Sequence, residues 1–75
     1  MEDRIKNVMA AVFDISPAEI SDDASPHDIK AWDSIKHMNL VLALEEEFDI
    51  QFEDAEIPSL VNFRIIAATV KAYAE

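Results

Sequence analysis

The chain has neither cysteine nor glycine, and it contains only six Lys and Arg residues against 16 Asp and Glu residues. The lack of cysteine excludes a disulfide scaffold and leaves the chain without a thiol of its own. The lack of glycine excludes glycine-rich phosphate loops and also an EF-hand in the acidic loop 22–28, because that motif needs a glycine at its sixth position. His27 and His37 lie too far apart, with too few suitable neighbours, to suggest zinc, so no metal site is expected.

Long apolar runs and a basic surface are missing as well. No apolar stretch approaches the roughly 20 residues that a membrane-spanning helix needs. The acidic start, Met1-Glu2-Asp3-Arg4, lacks the apolar region of a signal peptide, so a cytoplasmic location is expected. The net charge of −10 repels nucleic-acid phosphates and anionic membrane surfaces, so neither is an expected partner. It favours protein partners with basic patches.

What is present is helical periodicity. Residues 1–75, of which 51% are hydrophobic, are expected to form one small monomeric domain stabilised by packing. A first helix is predicted over about residues 2–14, and a last helix is predicted to follow the capping residue Asn62. The apolar residues that recur at helical spacing in these two segments are Ile5, Val8, Met9, Val12 and Phe13, and then Phe63, Ile66, Ala67, Val70 and Tyr73.

A second long helix is predicted over about residues 34–48, with apolar residues in two stripes. One stripe, expected to face the core, consists of Leu40, Val41, Leu44 and Phe48. The other consists of Ile35, Met38 and Leu42. More than half of the circumference is apolar, too much for a helix that merely lies on a surface. Either the other helices surround it, or one stripe contacts a partner.

The connections complete an all-α prediction. Ser16 is expected to cap a single helical turn, and Ile20 and Ile29 are expected to pin the long first loop to the core. The chain after Phe48 is predicted to be extended, followed by one short turn from about residue 53 to 57 that Pro58 limits. The sum is a small four-helix bundle of three longer helices and one short helix, with a long first loop.

Asp33-Ser34 precedes the most apolar helix, and such a pair is a common N-cap signature. Nucleophilic catalysis by Ser34 would require a general base and an oxyanion hole. The nearest histidine, His37, has no orienting carboxylate that the spacing would supply, so the chain is not expected to be an enzyme. Trp32, the only tryptophan, is expected to cover the loop against the core.

Trp32-Asp33-Ser34-Ile35, followed by the Leu-Val-Leu-Ala-Leu-Glu-Glu-Glu-Phe run of residues 40–48, resembles the acyl carrier protein family. The resemblance covers essentially the whole chain, and it implies that Ser34 carries a 4′-phosphopantetheine arm, with Asp33 as the acid before it. The arm would supply the thiol that the chain lacks and hold acyl groups as thioesters. Its implied partners are a phosphopantetheinyl transferase and enzymes of acyl loading and transfer.

The same resemblance makes the second helix the docking surface. The residues expected to contact partners are Ile35, Lys36, Met38, Leu42, Glu45 and Glu46, with Asp49 and Glu53 as further acids. Lys36 and His37 depart from the family pattern, as does Trp32 in a segment that often contains glycine, and they point to a dedicated set of partners. Two alternatives remain open: an aminoacyl or peptidyl carrier of a specialised pathway, and an unmodified acidic adaptor in which Ser34 is only a cap.

Overall fold

The computed structural model describes residues 1–74, and all regular secondary structure in these residues is helical. Helix α1 spans Glu2–Phe13, α2 spans Ser34–Phe48 and α3 spans Phe63–Ala74. Two short 3-10 helices lie in the connections, the first at Pro17–Glu19 and the second at Asp54–Ser59. The predicted bundle of three longer helices is therefore confirmed, with bounds within a residue or so of those expected. No helix in residues 1–74 is long and apolar enough to cross a membrane.

The three long helices bury a single apolar core. Its most enclosed side chains are Ile5, Met9, Leu40, Val41, Leu44, Leu60, Phe63, Ile66 and Val70. The stripe of α2 that was expected to face the core does so, although Phe48 at its end is only partly buried. Because an isolated helix of this length is marginal in water, this shared burial is what stabilises all three helices.

The long first loop is pinned to the core as predicted. Ile20 and Ile29 are buried, and Trp32 packs against Phe13 with 5.2 Å between ring centroids. The backbone amide of Phe63 also donates to the carbonyl of Ala24 at 2.9 Å, which joins the loop to the start of α3. The loop therefore holds a defined position up to the residue that precedes α2.

Two acids of the same loop form ion pairs with the helices. Asp22 accepts from Lys6 of α1 at 3.1 Å, and Asp23 accepts from Arg64 of α3 at 2.8 Å. The Asp23 carboxylate raises the pKa of the Arg64 guanidinium, first through their hydrogen bond and then through their opposite charges. These exposed pairs contribute little to stability, but they help to set the course of the loop.

The second 3-10 helix corrects one prediction. The expected turn from about residue 53 to 57 was thought to be limited by Pro58, yet Pro58 lies inside a helix that runs to Ser59. A 3-10 helix needs φ between about −50° and −70°, which the proline ring already imposes. In so short a segment, the proline removes only one hydrogen-bond donor. The next turn still forms, because the Leu60 N–H donates to the carbonyl of Ile57. The first predicted turn, capped by Ser16, is confirmed at Pro17–Glu19.

Candidate functional site

The start of α2 is capped by Asp33 and not by Ser34. Asp33 lies in the extended region, and its Oδ1 accepts a hydrogen bond from the backbone amide of Lys36 at 2.8 Å. Ser34 is thus the first residue inside the helix, and its side chain is exposed. The capping interaction satisfies one of the four free N–H groups at this helix end. The Ser34 hydroxyl is not used as the cap.

An open, mostly apolar groove of about 510 Å³ begins at Ser34. One side comes from the loop and the first turns of α2, and the other comes from the second 3-10 helix and the residues that follow it. The groove is lined by Pro26, Trp32, Asp33, Ser34, His37, Met38, Ile57, Pro58, Leu60 and Val61. It lies beside the exposed serine and not within the core.

His37 connects the two sides of this groove. Its Nδ1 lies 2.9 Å from the indole Nε1 of Trp32, and its Nε2 lies 2.9 Å from the backbone carbonyl oxygen of Ile57. The imidazole and indole rings are nearly parallel, with centroids 6.2 Å apart. Both ring nitrogens are therefore engaged, and in this arrangement His37 is not placed as a base for the Ser34 hydroxyl.

The outer face of α2 presents the second apolar stripe to solvent. Ile35 is 73% exposed, Met38 46% and Leu42 59%, which is unusual for side chains of this size. Lys36 lies near the amino-terminal end of the same helix and has no ion pair within residues 1–74. The helix thus shows one buried and one exposed apolar stripe, as its two-stripe pattern indicated.

The three consecutive glutamates late in α2 differ in their contacts. The Oε2 of Glu45 accepts a hydrogen bond from the backbone amide of Phe52 at 2.9 Å, which fixes the chain as it leaves the helix. Glu47 forms an ion pair with Arg4 of α1 at 2.9 Å. Glu46 is exposed. Of the two glutamates expected to contact partners, Glu45 therefore already has an intramolecular role, whereas Glu46 is free to face a partner.

The side of the groove that the second 3-10 helix forms is held against the end of α3 by contacts of Tyr73. Tyr73 donates a hydrogen bond to Oε1 of Glu56, and the Tyr73 ring packs edge-on against Phe52 at 5.6 Å. This hydrogen bond lowers the pKa of Glu56, with a further contribution from the Glu53 amide, and it raises the pKa of Tyr73. The contact anchors the segment that supplies Ile57 and Pro58 to the groove.

Sequence reasoning identified the serine and the exposed stripe, but it missed the groove and the hydrogen bonds of His37 that connect its two sides. His37 was interpreted as a departure from the family pattern that points to dedicated partners, and Ile57, Pro58 and Val61 were not identified as neighbours of Ser34. The only sequence signal was the helical spacing that places His37 one turn after Ser34. Its partner carbonyl lies 20 residues further along the chain, where no local pattern reaches.

Comparison with known proteins gives the family. The family described as phosphopantetheine attachment site matches residues 3–70. Acyl carrier proteins from two strains of Buchnera aphidicola subsp. Acyrthosiphon pisum, Tuc7 and 5A, are 43% identical over 56 residues, which are 75% of this chain and 70% of each relative. The solution structure of a holo acyl carrier protein from Geobacter metallireducens superposes with a TM-score of 0.86 at 33% identity, covering 96% of this chain and 83% of that one. The chain belongs to the acyl carrier protein family.

Proposed function

We propose that Ser34 is the residue that carries the 4′-phosphopantetheine arm with which a member of this family holds acyl groups. The observation that carries the proposal is the division of roles at the start of α2. Asp33 makes the capping hydrogen bond, and the Ser34 hydroxyl is left exposed at the first helical position. Because Asp33 accepts the capping hydrogen bond, that bond supports this proposal over the alternative in which Ser34 serves only as a cap.

The surroundings of Ser34 suit the arm. The free N–H groups and the positive end of the helix favour the negative charge of a phosphodiester at this position. The apolar groove that starts at Ser34 offers a path for the chain of the arm along Met38 and Trp32. When bound, the arm supplies a thiol, which this cysteine-free chain lacks.

Intact-mass analysis tests the attachment site. The purified protein is incubated with a phosphopantetheinyl transferase of broad specificity and coenzyme A, and we expect a mass gain of one phosphopantetheine. Ser34→Ala should abolish the gain. Ser21→Ala, which removes an exposed serine of the first loop, should leave it intact. An unmodified wild-type chain would favour the acidic adaptor, and a gain that persists in Ser34→Ala would place the arm elsewhere.

We further propose that partner enzymes dock on the outer face of α2, which carries charges of opposite sign at its two ends. Lys36 lies in the first turn, and Glu46 follows about 15 Å further along the axis, given the rise of a helix. Met38 and Leu42 lie between them and Ile35 directly precedes Lys36, all three as exposed apolar contacts. A matching enzyme would present a basic patch to the glutamate end and an acidic group near the serine.

Charge variants test this face. Glu46→Gln should raise the KM of the transferase or of an acyl-transfer enzyme several-fold at low salt, and the effect should shrink as salt screens the interaction. Asp3→Asn removes the same charge from α1 and is the matched control. Lys36→Glu should weaken partners with an acidic group near the serine and favour enzymes with uniformly basic patches. Equal effects of Glu46→Gln and Asp3→Asn would contradict the assigned face.

A further inference from the structure

His37 has hydrogen-bond partners that determine which of its two ring nitrogens carries the hydrogen. The indole Nε1–H of Trp32 can only donate, so the Nδ1 of His37 must accept and carries no proton. The carbonyl of Ile57 can only accept, so Nε2 must carry the proton. The two hydrogen bonds therefore select the tautomer of His37 that carries its hydrogen on Nε2.

The two hydrogen bonds join three segments that meet at Ser34. Trp32 belongs to the loop that enters α2, His37 to the first turns of α2, and Ile57 to the second 3-10 helix. Trp32 is itself 5% exposed and packs on Phe13 of α1, so the bridge connects the groove to the core. Because these bonds are part-buried, they hold their geometry better than an exposed pair would.

We infer that His37 is a positioning residue for the modification of Ser34: through its two hydrogen bonds it holds Trp32 and Ile57 on either side of the groove, and so it fixes the orientation of the serine. This inference rests on the proposed attachment of the arm to Ser34. His37 is half-buried, and of the exposed stripe only Met38 lines the same groove, whereas Ile35 and Leu42 lie outside it. Losing it should therefore misplace the serine and leave docking on the outer face unchanged.

Steady-state kinetics of the transferase separate these effects. His37→Leu removes both hydrogen bonds and should lower kcat about tenfold with KM within twofold of wild type, because small misplacements of a reacting group cost rate. His37→Asn keeps an acceptor near the Nδ1 position, and His37→Gln keeps a donor near the Nε2 position. Each should recover part of the lost kcat. His27→Leu, at the exposed histidine of the first loop, is the matched control and should behave like wild type.

Nuclear magnetic resonance supplies a readout that does not depend on the arm. The nitrogen shifts of the His37 ring should show a protonated Nε2 and an unprotonated Nδ1 at neutral pH. The single indole N–H signal should exchange slowly with water in the wild type and faster in His37→Leu. The opposite tautomer would overturn the inference.

The outcomes distinguish this inference from the function on which it rests. If wild type is loaded, Ser34→Ala is not, and folded His37→Leu keeps the wild-type kcat, the positioning role is overturned while the attachment site stands. If His37→Leu raises KM with kcat unchanged, His37 is a docking residue, and the inference is also overturned. If His37→Leu does not fold, the comparison of His37→Asn and His37→Gln with wild type decides in the same way. If wild type itself is never loaded, both proposals fall.

Discussion

The carboxylate of Asp33 accepts a hydrogen bond from the backbone amide of Lys36 at 2.8 Å, and this contact makes Asp33 the cap of α2. Replacing Asp33 with alanine removes the acceptor, so we expect a loss of about 1 kcal/mol in the free energy of unfolding, as is usual for N-caps. Asp33→Asn keeps an acceptor in the same place, so its free energy of unfolding should stay within a few tenths of a kcal/mol of the wild-type value. Urea denaturation measures both.

The same two variants also separate capping from charge. If the negative charge of Asp33 contributes to loading, Asp33→Asn should be modified more slowly than wild type in spite of its normal stability. Equal destabilisation by alanine and asparagine would contradict the capping role.

Leu44 and Leu42 lie two residues apart on α2 but on opposite stripes. Leu44 is 0% exposed and Leu42 is 59% exposed. Leu44→Ala should therefore lower the free energy of unfolding by about 2–5 kcal/mol through lost burial and a residual cavity. Leu42→Ala should change it by less than about 0.5 kcal/mol but weaken docking of partner enzymes. Denaturation together with transferase KM values checks both, and similar stability losses at the two positions would contradict the assignment of the stripes.

Asp14 ends α1 in the left-handed region, with φ of 57°. A side chain is mildly unfavourable there, and the negative charge also opposes the helix dipole at its carboxyl end. Asp14→Gly relieves both costs, so we expect a gain of about 0.5–1 kcal/mol in the free energy of unfolding. Asp14→Ala relieves only the charge and should be less stable than the glycine variant by about 1 kcal/mol. Thermal denaturation ranks them, and an alanine variant as stable as the glycine variant would contradict the backbone argument.

The Tyr73–Glu56 hydrogen bond should give a pH-dependent contribution to stability. The bond lowers the pKa of Glu56. Its contribution to stability is therefore present above the ordinary carboxyl pKa range and is lost as pH falls through the pKa of Glu56 in the folded state. The bond raises the pKa of Tyr73. Its contribution to stability is therefore present below the ordinary tyrosine pKa and is lost as pH rises through the pKa of Tyr73 in the folded state.

Tyr73→Phe keeps the ring against Phe52 and removes only the hydroxyl. It should therefore be less stable than wild type between roughly pH 5 and 10, and the difference should narrow on either side of that window. Denaturation at a series of pH values measures the difference. A stability difference between wild type and Tyr73→Phe that stays constant across the whole pH range would show that the hydroxyl acts by packing alone.

The bounds of α2 followed from the sequence because its signals are local. The Asp-Ser pair before an apolar periodic segment indicates where the helix begins, and the polar residues after Phe48 indicate where it ends. The identity of the core-facing stripe followed as well, since residues three and four apart must share a face. The extent of the second 3-10 helix did not follow, because the rule that proline limits an α-helix does not hold in this tighter helix.

The sequence by itself determined an acidic, cysteine-free helical bundle with an exposed serine at the head of its most apolar helix, and it carried the resemblance to the family. Periodicity and capping are properties of neighbours along the chain, so they can be deduced without a structure. Only the tertiary structure decided that Glu45 holds the amide of Phe52 and that His37 joins Trp32 to Ile57. These choices depend on distances between side chains and distant backbone groups, and those distances exist only once the loops have packed on the core.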